Sequence, residues 1–207
     1  MTGDLMTLSE ALIADAGPQL EAQLAHPTVQ GIARGDLDDA VMRSWLEQDY
    51  LFLLDYVRVF SALATTAPAA HLGDLVDLAH ATFHDELDLH RALAAEFGAD
   101  LDSATPGPRC TAYTSFLLET ARRSYAEGLA ALLPCMWGYS TLAQRMSTPA
   151  EPRYRRWLDT YRDPAFAALA GRCAQMLDEV AGDIDPATAH RLFRQALDHE
   201  LAFWDVP

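Results

Sequence analysis

A cysteine and a tyrosine lie one helical turn apart in a stretch apolar enough to form a buried helix. Cys135 and Tyr139 belong to a run from position 125 to 146, and Pro134 stands directly before the cysteine. A proline inside a helix has no N–H to donate and its ring clashes with the carbonyl four residues earlier, so we expect a kink. Most free cysteines are small buried hydrophobic residues. A kinked helix that places a thiol beside a phenol is nevertheless an unusual arrangement for packing alone.

Two other segments place a carboxylate beside aromatic residues on one helix face. Asp49 and Phe52 are three residues apart, and Tyr56 lies one turn further along the same face. Glu200 and Phe203 repeat this arrangement in the last helix. A carboxylate is costly to bury without a partner. Both are therefore candidates for a binding pocket, the alternatives being a cap or local pair for Asp49 and a surface position for Glu200.

A further helical segment is rich in histidine and carboxylate. His80 and His84 are one turn apart, as are Glu86 and His90. Imidazole and carboxylate together suit iron. Glu86 and His90 also have the spacing of an ordinary side-chain pair on a helix. Both interpretations stay open at this point.

The composition excludes several classes of function. The 207 residues include 30 acidic and 15 basic side chains, and the formal net charge of −15 argues against nucleic acid or an anionic membrane as a partner. Lysine is absent, which excludes a lysine Schiff base and a P-loop. Neither the GxGxxG dinucleotide motif nor the GxSxG nucleophile elbow occurs.

Cysteine usage and the N-terminal sequence indicate where the protein works. Cys110, Cys135 and Cys173 are widely spaced and fit neither a disulfide framework nor a zinc site. Because free thiols favour a reducing compartment and the first residues lack the pattern of a signal peptide, we expect a cytoplasmic protein. No apolar run reaches the length of about 18 residues that a membrane helix needs.

Helical periodicity extends along the sequence, and we find no convincing strand. The predicted fold class is all-α, as one domain over residues 1–207 in which long antiparallel helices leave a pocket between them. Residues 26–33 are expected to be a turn-rich connection, and Gly17 and Pro18 to break or kink the first helix. The predicted helices cover residues 7–25, 38–65, 69–97, 109–123, 125–146, 152–161, 164–181 and 186–204.

Five segments, taken in order, resemble the TenA family, also called thiaminase II or aminopyrimidine aminohydrolase. They are His26-Pro-Thr-Val-Gln-Gly-Ile, Gln48-Asp-Tyr-Leu-Phe-Leu, Tyr113-Thr-Ser, Ala130-Ala-Leu-Leu-Pro-Cys-Met-Trp-Gly-Tyr and His199-Glu-Leu-Ala-Phe-Trp. The pattern Leu-Leu-Pro-Cys-x-Trp-x-Tyr is specific, the first segment is moderately so, and the others are weak singly. Together they extend through nearly the whole chain.

The resemblance implies a haem-oxygenase-like helical fold and a homotetramer, with no cofactor or metal. It also implies hydrolysis of an aminomethyl pyrimidine from thiamin breakdown, which releases ammonia and the hydroxymethyl pyrimidine for salvage. Some members of the family cleave thiamin itself. The residue types agree with this substrate independently, because a carboxylate pairs well with the amine edge of an aminopyrimidine.

By the same resemblance, three residues carry the chemistry. Cys135 would be the nucleophile that adds to an electron-poor ring carbon, and Glu200 would protonate a ring nitrogen as the sulfur adds. Asp49 would hold the exocyclic amine and the adjacent ring nitrogen. A covalent adduct breaks the aromaticity of the ring and lets the amine leave from the neighbouring methylene, which divides one difficult step into two easier ones.

The other site residues that the resemblance implies are aromatic. Tyr139 would position the cysteine, Phe52 and Phe203 would stack on the ring, and Tyr113 and Tyr161 would line the pocket. A stacked aromatic pair contributes about 0.5–1.5 kcal/mol. Phe52 is a departure, since some members carry tyrosine there, and we expect stacking without the hydroxyl contact.

One more departure and two alternative functions bear on this assignment. The chain ends at Pro207, soon after the Glu200 segment, so we expect no C-terminal cover over the pocket.

The main alternative is a di-iron oxidase on the same fold, in which Glu86 and His90 would be two of about six ligands. The other is a binding-only or regulatory protein, against which the presence of both Cys135 and Glu200 argues.

Overall fold

The computed structural model describes residues 6–205, and every regular element within that range is helical. The predicted all-α class is thereby confirmed, and none of these helices is long and apolar enough to span a membrane. Short 3₁₀ turns at Ala69–His71 and Ala181–Asp183 and a π-helical turn at Thr82–Glu86 supplement the α-helices. The α-helices are α1 Leu8–Ala14, α2 Gly17–Ala25, α3 Pro27–Arg34, α4 Asp39–Ala64, α5 Leu72–Ala81, α6 Leu87–Phe97, α7 Pro108–Arg123, α8 Tyr125–Arg145, α9 Pro152–Arg162, α10 Pro164–Glu179 and α11 Pro186–Phe203.

Aspartate caps fix the starts of three helices that position the site. Asp38, Asp163 and Asp185 each accept a hydrogen bond from a backbone N–H in the first turn of α4, α10 and α11. Such a cap satisfies a donor that the helix itself leaves free. Helices α10 and α11 also begin with proline, whose missing N–H costs nothing at that position. The predicted starts of these helices are confirmed to within about one residue, the usual uncertainty of a helix end.

The segment after His26 contradicts the prediction, because it forms helix α3 rather than a turn-rich connection. Pro27 takes the first helical position, and Nδ1 of His26 accepts a hydrogen bond from the N–H of Thr28 at 3.2 Å. The helix ends at Gly35, whose φ of 75° lies in the left-handed region that glycine adopts without strain. Start and stop signals only eight residues apart had indicated a turn, whereas they enclose two helical turns.

The helical run predicted for residues 69–97 is confirmed, but it is not one continuous α-helix. The π-helical turn Thr82–Glu86 joins α5 to α6. A π turn widens the helix locally and changes which face the following residues occupy, and such turns are frequent at functional sites. Glu86, the last residue of this turn, and His90 in α6 are buried, while His80 and His84 are exposed.

Helix α8 is the central element of the fold. It packs against α7, α10 and α11, and most of its side chains are buried. Gly128 permits the close approach, since a Cβ there would lie 2.5 Å from Cδ2 of Leu63 and 2.8 Å from Cα of Ala121. The helix continues through Pro134. Cys135 is therefore carried into the interior on a helix that is held on several sides.

Candidate active site

A small inner pocket lies where α4, α8, α9, α10 and the π-helical turn meet. Its volume is about 10 Å³, room for about one water molecule. A ring-shaped ligand therefore enters only if side chains of the wall move. The wall combines titratable, aromatic and aliphatic side chains, namely Asp49, Phe52, Leu53, Tyr56, Glu86, Cys135, Met136, Tyr139, Tyr161 and Phe166.

Asp49 is buried in this wall and is paired with His90. Nε2 of His90 lies 2.6 Å from Oδ2 of Asp49, and Nδ1 lies 2.8 Å from the backbone oxygen of Glu86. A carbonyl oxygen only accepts hydrogen bonds, so Nδ1 carries a proton. Burial lowers the pKa of His90, but the charge and hydrogen bond of Asp49 raise it more, and the net shift is upward. His90 is therefore an imidazolium that donates to Asp49 and compensates its buried charge.

Glu86 and His90 are one helical turn apart, but their two side chains do not pair as the sequence suggested. The imidazole bonds the backbone carbonyl of Glu86, and the Glu86 carboxyl lines the pocket instead. Both nitrogens of His90 are engaged by protein oxygens, which leaves neither for a metal ion. Within residues 6–205, no three His, Cys, Asp or Glu side chains are placed to hold one ion.

The Cys135 thiol is protonated at rest. Burial raises its pKa well above the usual range, and the charges of Glu200 and Glu86 raise it further. The nearby Tyr56 hydroxyl lowers the pKa of the thiol, and in the structure this hydroxyl donates its hydrogen bond to the Leu132 carbonyl at 3.3 Å. Since the thiolate is the reactive form of cysteine, the proton must leave the sulfur as it attacks.

Glu200 on α11 is buried next to this thiol. The Tyr113 hydroxyl donates a hydrogen bond to its Oε1 atom, and the Cys135 thiol lies within hydrogen-bonding reach of its carboxyl group. Burial raises the pKa of Glu200 to about 8, although the bond from Tyr113 lowers it. Glu200 is therefore mostly protonated at neutral pH, as a proton donor requires.

Phe52 lies at the centre of an aromatic cluster beside the pocket. Its ring stacks on Tyr113 and Tyr56, with centroid distances of 4.9 and 5.3 Å. Phe203 meets the Phe52 ring edge-on at 5.6 Å. These contacts fix the orientation of a flat apolar surface in the wall.

Tyr139 and Tyr161 form a second aromatic group in the same wall. Their ring centroids are 5.1 Å apart, and both hydroxyl groups are buried near the titratable residues. Burial raises the pKa of each well above its usual range, and the nearby charges of Asp49 and of Glu200 or Glu86 raise it further. Both phenols therefore stay neutral.

A larger cavity of about 260 Å³ adjoins the inner pocket. The two share Glu86, Met136 and Phe166 as a common wall. Asp85 and Asp163 line the larger cavity but not the inner pocket. The larger cavity lies on the α5–α10 side with Glu86 at its boundary with the inner pocket, and we call it the entrance cavity.

The structure brings together the residues that the sequence singled out from distant segments. Glu200, Tyr113 and Phe203 are outside the wall but contact its members. Those in the pocket wall are Asp49, Phe52, Cys135, Tyr139 and Tyr161. His80 and His84 are apart from them, with ring centroids 4.4 Å from one another.

Sequence reasoning missed two parts of the site. Nothing in the pattern indicated that His90 is the partner of Asp49, because the pair joins different helices. The carboxyl of Glu86 was considered only as a metal ligand or a helix-surface partner. Glu86 belongs to a π-helical turn of five residues. No pattern in one sequence predicts such a turn.

The site combines a buried thiol, protonatable carboxyl groups and stacked aromatic rings within a helical fold. These are the features of an enzyme for a small aromatic compound. The chain belongs to the TENA/THI-4/PQQC family, whose model matches residues 16–206. The resemblance found in the five sequence segments is thereby confirmed.

Individual relatives agree with this assignment. The chain is 35% identical to the aminopyrimidine aminohydrolase of Halalkalibacterium halodurans, over 97% of this chain and 95% of that protein. A solved TenA homologue from P. horikoshii OT3 has a TM-score of 0.88 at 26% identity, covering 96% of this chain and 97% of the other. A Shewanella denitrificans domain of unknown function with a heme oxygenase-like fold has a TM-score of 0.74 at 14% identity, over 99% and 92% of the two chains. The predicted haem-oxygenase-like fold is thus confirmed.

Proposed function

We propose that this chain is an aminopyrimidine aminohydrolase that converts 4-amino-5-aminomethyl-2-methylpyrimidine to the hydroxymethyl pyrimidine and ammonia in thiamin salvage. The observation that carries the proposal is the assembly of Cys135, Glu200 and Asp49 at one pocket with flat aromatic walls. The activity named for the Halalkalibacterium halodurans relative supports it.

Asp49 is the recognition group for the amine edge of the substrate. Its Oδ2 atom is taken by His90, which leaves Oδ1 to accept a hydrogen bond from the exocyclic amine. The ring nitrogen beside that amine joins the same carboxylate when it carries a proton. Phe52 offers a ring face for stacking, and Phe203 supports it from the edge. Together these contacts orient the pyrimidine toward the sulfur.

The first covalent step transfers the thiol proton to the substrate through Glu200. The Cys135 sulfur forms a bond to an electron-poor ring carbon, and the ring C=N electrons move to the nitrogen. The Glu200 carboxyl donates its proton to that nitrogen and takes the thiol proton on its other oxygen. Glu200 therefore ends in the state in which it began. Such positioned proton transfer contributes roughly 100-fold to 10,000-fold in rate.

The adduct then exchanges the amine for water. With the aromaticity broken, ring electrons expel the amine from the exocyclic methylene, and ammonia leaves. Water adds to the methylene carbon and becomes the new hydroxyl group. Reversal of the first step breaks the C–S bond, restores the aromatic ring and returns the proton to the sulfur.

Ammonia release from the aminomethyl pyrimidine tests the proposal, with thiamin cleavage measured beside it. The wild-type protein should release ammonia, and Cys135→Ala should lose nearly all turnover. Cys110→Ala and Cys173→Ala are the matched controls, because burial raises the pKa of both thiols to about 12 and neither is in the pocket wall. Wild-type-like turnover by Cys135→Ala would rule out the covalent mechanism.

We further propose a cytoplasmic homotetramer without cofactor. The family resemblance supports the tetramer, and three exposed apolar side chains near the π-helical turn offer it a surface. Leu72, Val76 and Phe83 are 41%, 64% and 42% exposed and are candidates for this interface.

A further inference from the structure

Glu86 is the one carboxyl group common to the inner pocket and the entrance cavity. It belongs to the last position of the π-helical turn, and its side chain is buried. The hydroxyls of Thr82 and Tyr161 are close enough to its carboxyl group to lower its pKa. Nothing in the sequence-based assignment gives it a role. A buried carboxyl without a cationic partner in hydrogen-bonding contact is costly for stability, so its position calls for a functional explanation.

The proposed reaction has a proton requirement that Cys135 and Glu200 do not meet. An amine that is bound as its neutral base leaves the methylene only as ammonia, so the departing nitrogen needs a proton. The water that replaces it must lose one. Both transfers take place at the exocyclic methylene, whereas Glu200 serves the sulfur and the ring nitrogen.

The other carboxyl groups at the site are less suited to this task. Asp49 is held in an ion pair with His90 at 2.6 Å and is committed to the amine edge of the ring. Glu200 is hydrogen-bonded by Tyr113 and lines neither the inner pocket nor the entrance cavity. Of the three, only Glu86 lines both the inner pocket and the entrance cavity.

We infer that Glu86 is a catalytic acid and base of the reaction, one that protonates the departing amine and then deprotonates the incoming water. In the first half, the C–N bond breaks as the Glu86 carboxyl gives its proton to nitrogen, leaving a carboxylate and free ammonia. In the second half, water forms the C–O bond and the carboxylate takes its proton. Glu86 returns to its starting state, and the net change is the exchange of NH₂ for OH.

The electrostatic environment of Glu86 suits a group that must both give and take a proton. Burial raises its pKa to about 7, and the positive charge of His90 limits the increase. Asp49 raises it, and the nearby Tyr161 hydroxyl lowers it. Cys135 faces it from α8, and Asp85 and Asp163 face the entrance cavity. A pKa near the working pH is optimal for a general acid that becomes a general base.

The test compares Glu86→Gln with Asp85→Asn in ammonia release from the aminomethyl pyrimidine. Glutamine keeps the size of the side chain and can still be hydrogen-bonded, but it exchanges no proton. Glu86→Gln should lower kcat by roughly 100-fold or more, while KM and the affinity for the hydroxymethyl pyrimidine change by less than about threefold. Asp85→Asn removes the neighbouring exposed carboxyl of the entrance and should keep wild-type kcat.

The pH profile separates a catalytic role from a structural one. Wild-type kcat should fall as the pH rises through about 7, where Glu86 loses the proton it must donate. In Glu86→Gln the fall should move to about 8, where Glu200 loses its proton. An unchanged pH profile in the variant, a kcat close to that of the wild type, or a loss confined to KM would each overturn the inference.

This inference depends on the proposed function, and the two fail in different ways. If the wild-type protein released no ammonia, the proposed function itself would be wrong. If the wild-type protein and Asp85→Asn were active and Glu86→Gln were equally active, only the role of Glu86 would be wrong.

Discussion

His90 and Asp49 form an ion pair across two helices, with Nε2 of the histidine 2.6 Å from Oδ2 of the aspartate and side-chain exposures of 0% and 5%. The carbonyl of Glu86 holds the other ring nitrogen at 2.8 Å. The imidazole is therefore fixed at both ends, and it fixes Asp49 in turn. Because Glu86 belongs to the π-helical turn, this turn positions both the partner of the binding carboxylate and the carboxyl at the pocket boundary.

Replacing His90 should weaken substrate binding. A hydrogen bond to a charged group contributes about 1.5–3 kcal/mol, so His90→Gln should raise KM by roughly tenfold to a hundredfold and kcat should change less. The affinity for the hydroxymethyl pyrimidine should fall in parallel, since it presents the same amine edge. Calorimetric titration and steady-state kinetics measure these effects. His84→Gln, an exposed histidine in the same helical run, should leave both unchanged, and equal effects of the two variants would refute the positioning role.

Asp49 and Glu200 should differ in the kinetic parameter that they control. In the proposed mechanism, Asp49 contacts the amine edge in the ground state and the transition state alike, so Asp49→Asn should mainly raise KM. Glu200 is proposed to act as charge moves onto the ring nitrogen, so Glu200→Gln should mainly lower kcat with nearly unchanged product affinity. Steady-state kinetics of the two variants on the aminomethyl pyrimidine decide between these outcomes.

Two results would contradict this division. If Glu200→Gln kept its kcat and lost only affinity, Glu200 would be a binding group. An equal fall of kcat in both variants would mean that Asp49 also orients the ring for attack by the sulfur.

Stability should depend on pH through the buried Glu200. Burial raises its pKa in the folded protein from 4.5 to about 8. The folded state then binds more protons than the unfolded state between these values, so stability that is present below 4.5 is lost as the pH rises through about 8. Glu200→Gln removes this ionisation and should raise the Tm relative to the wild type more at a pH of about 9 than at about 5. Thermal melts at both pH values test this, and a Tm difference independent of pH would contradict it.

The proposed tetramer predicts a particle of about four times the monomer mass of 22.8 kDa. Light scattering at micromolar concentration measures this directly. The exposed apolar side chains Leu72, Val76 and Phe83 should become protected in the assembly. A species at the monomer mass would refute the proposal.

Local features of the sequence determined the helices and much of the site. Helix starts at Asp38, Asp163 and Asp185 could be predicted because a cap acts on N–H groups within its own turn. The positions of Cys135 and Glu200 on apolar faces could be predicted because helical periodicity shows which residues share a face. The five family-like segments identified the family even though they are far apart in the chain.

Only the tertiary structure decided what those residues touch and which of them carry protons. The pairing of His90 with Asp49 joins α6 to α4, and the bond from Tyr113 to Glu200 joins α7 to α11. No local sequence pattern predicts either contact, because tertiary packing determines which helices become neighbours when they are distant in sequence. The raised pKa values of Glu86 and Glu200 likewise depend on burial, which the whole fold provides. The sequence therefore determined which groups are available for catalysis, and packing determined their partners and their charge.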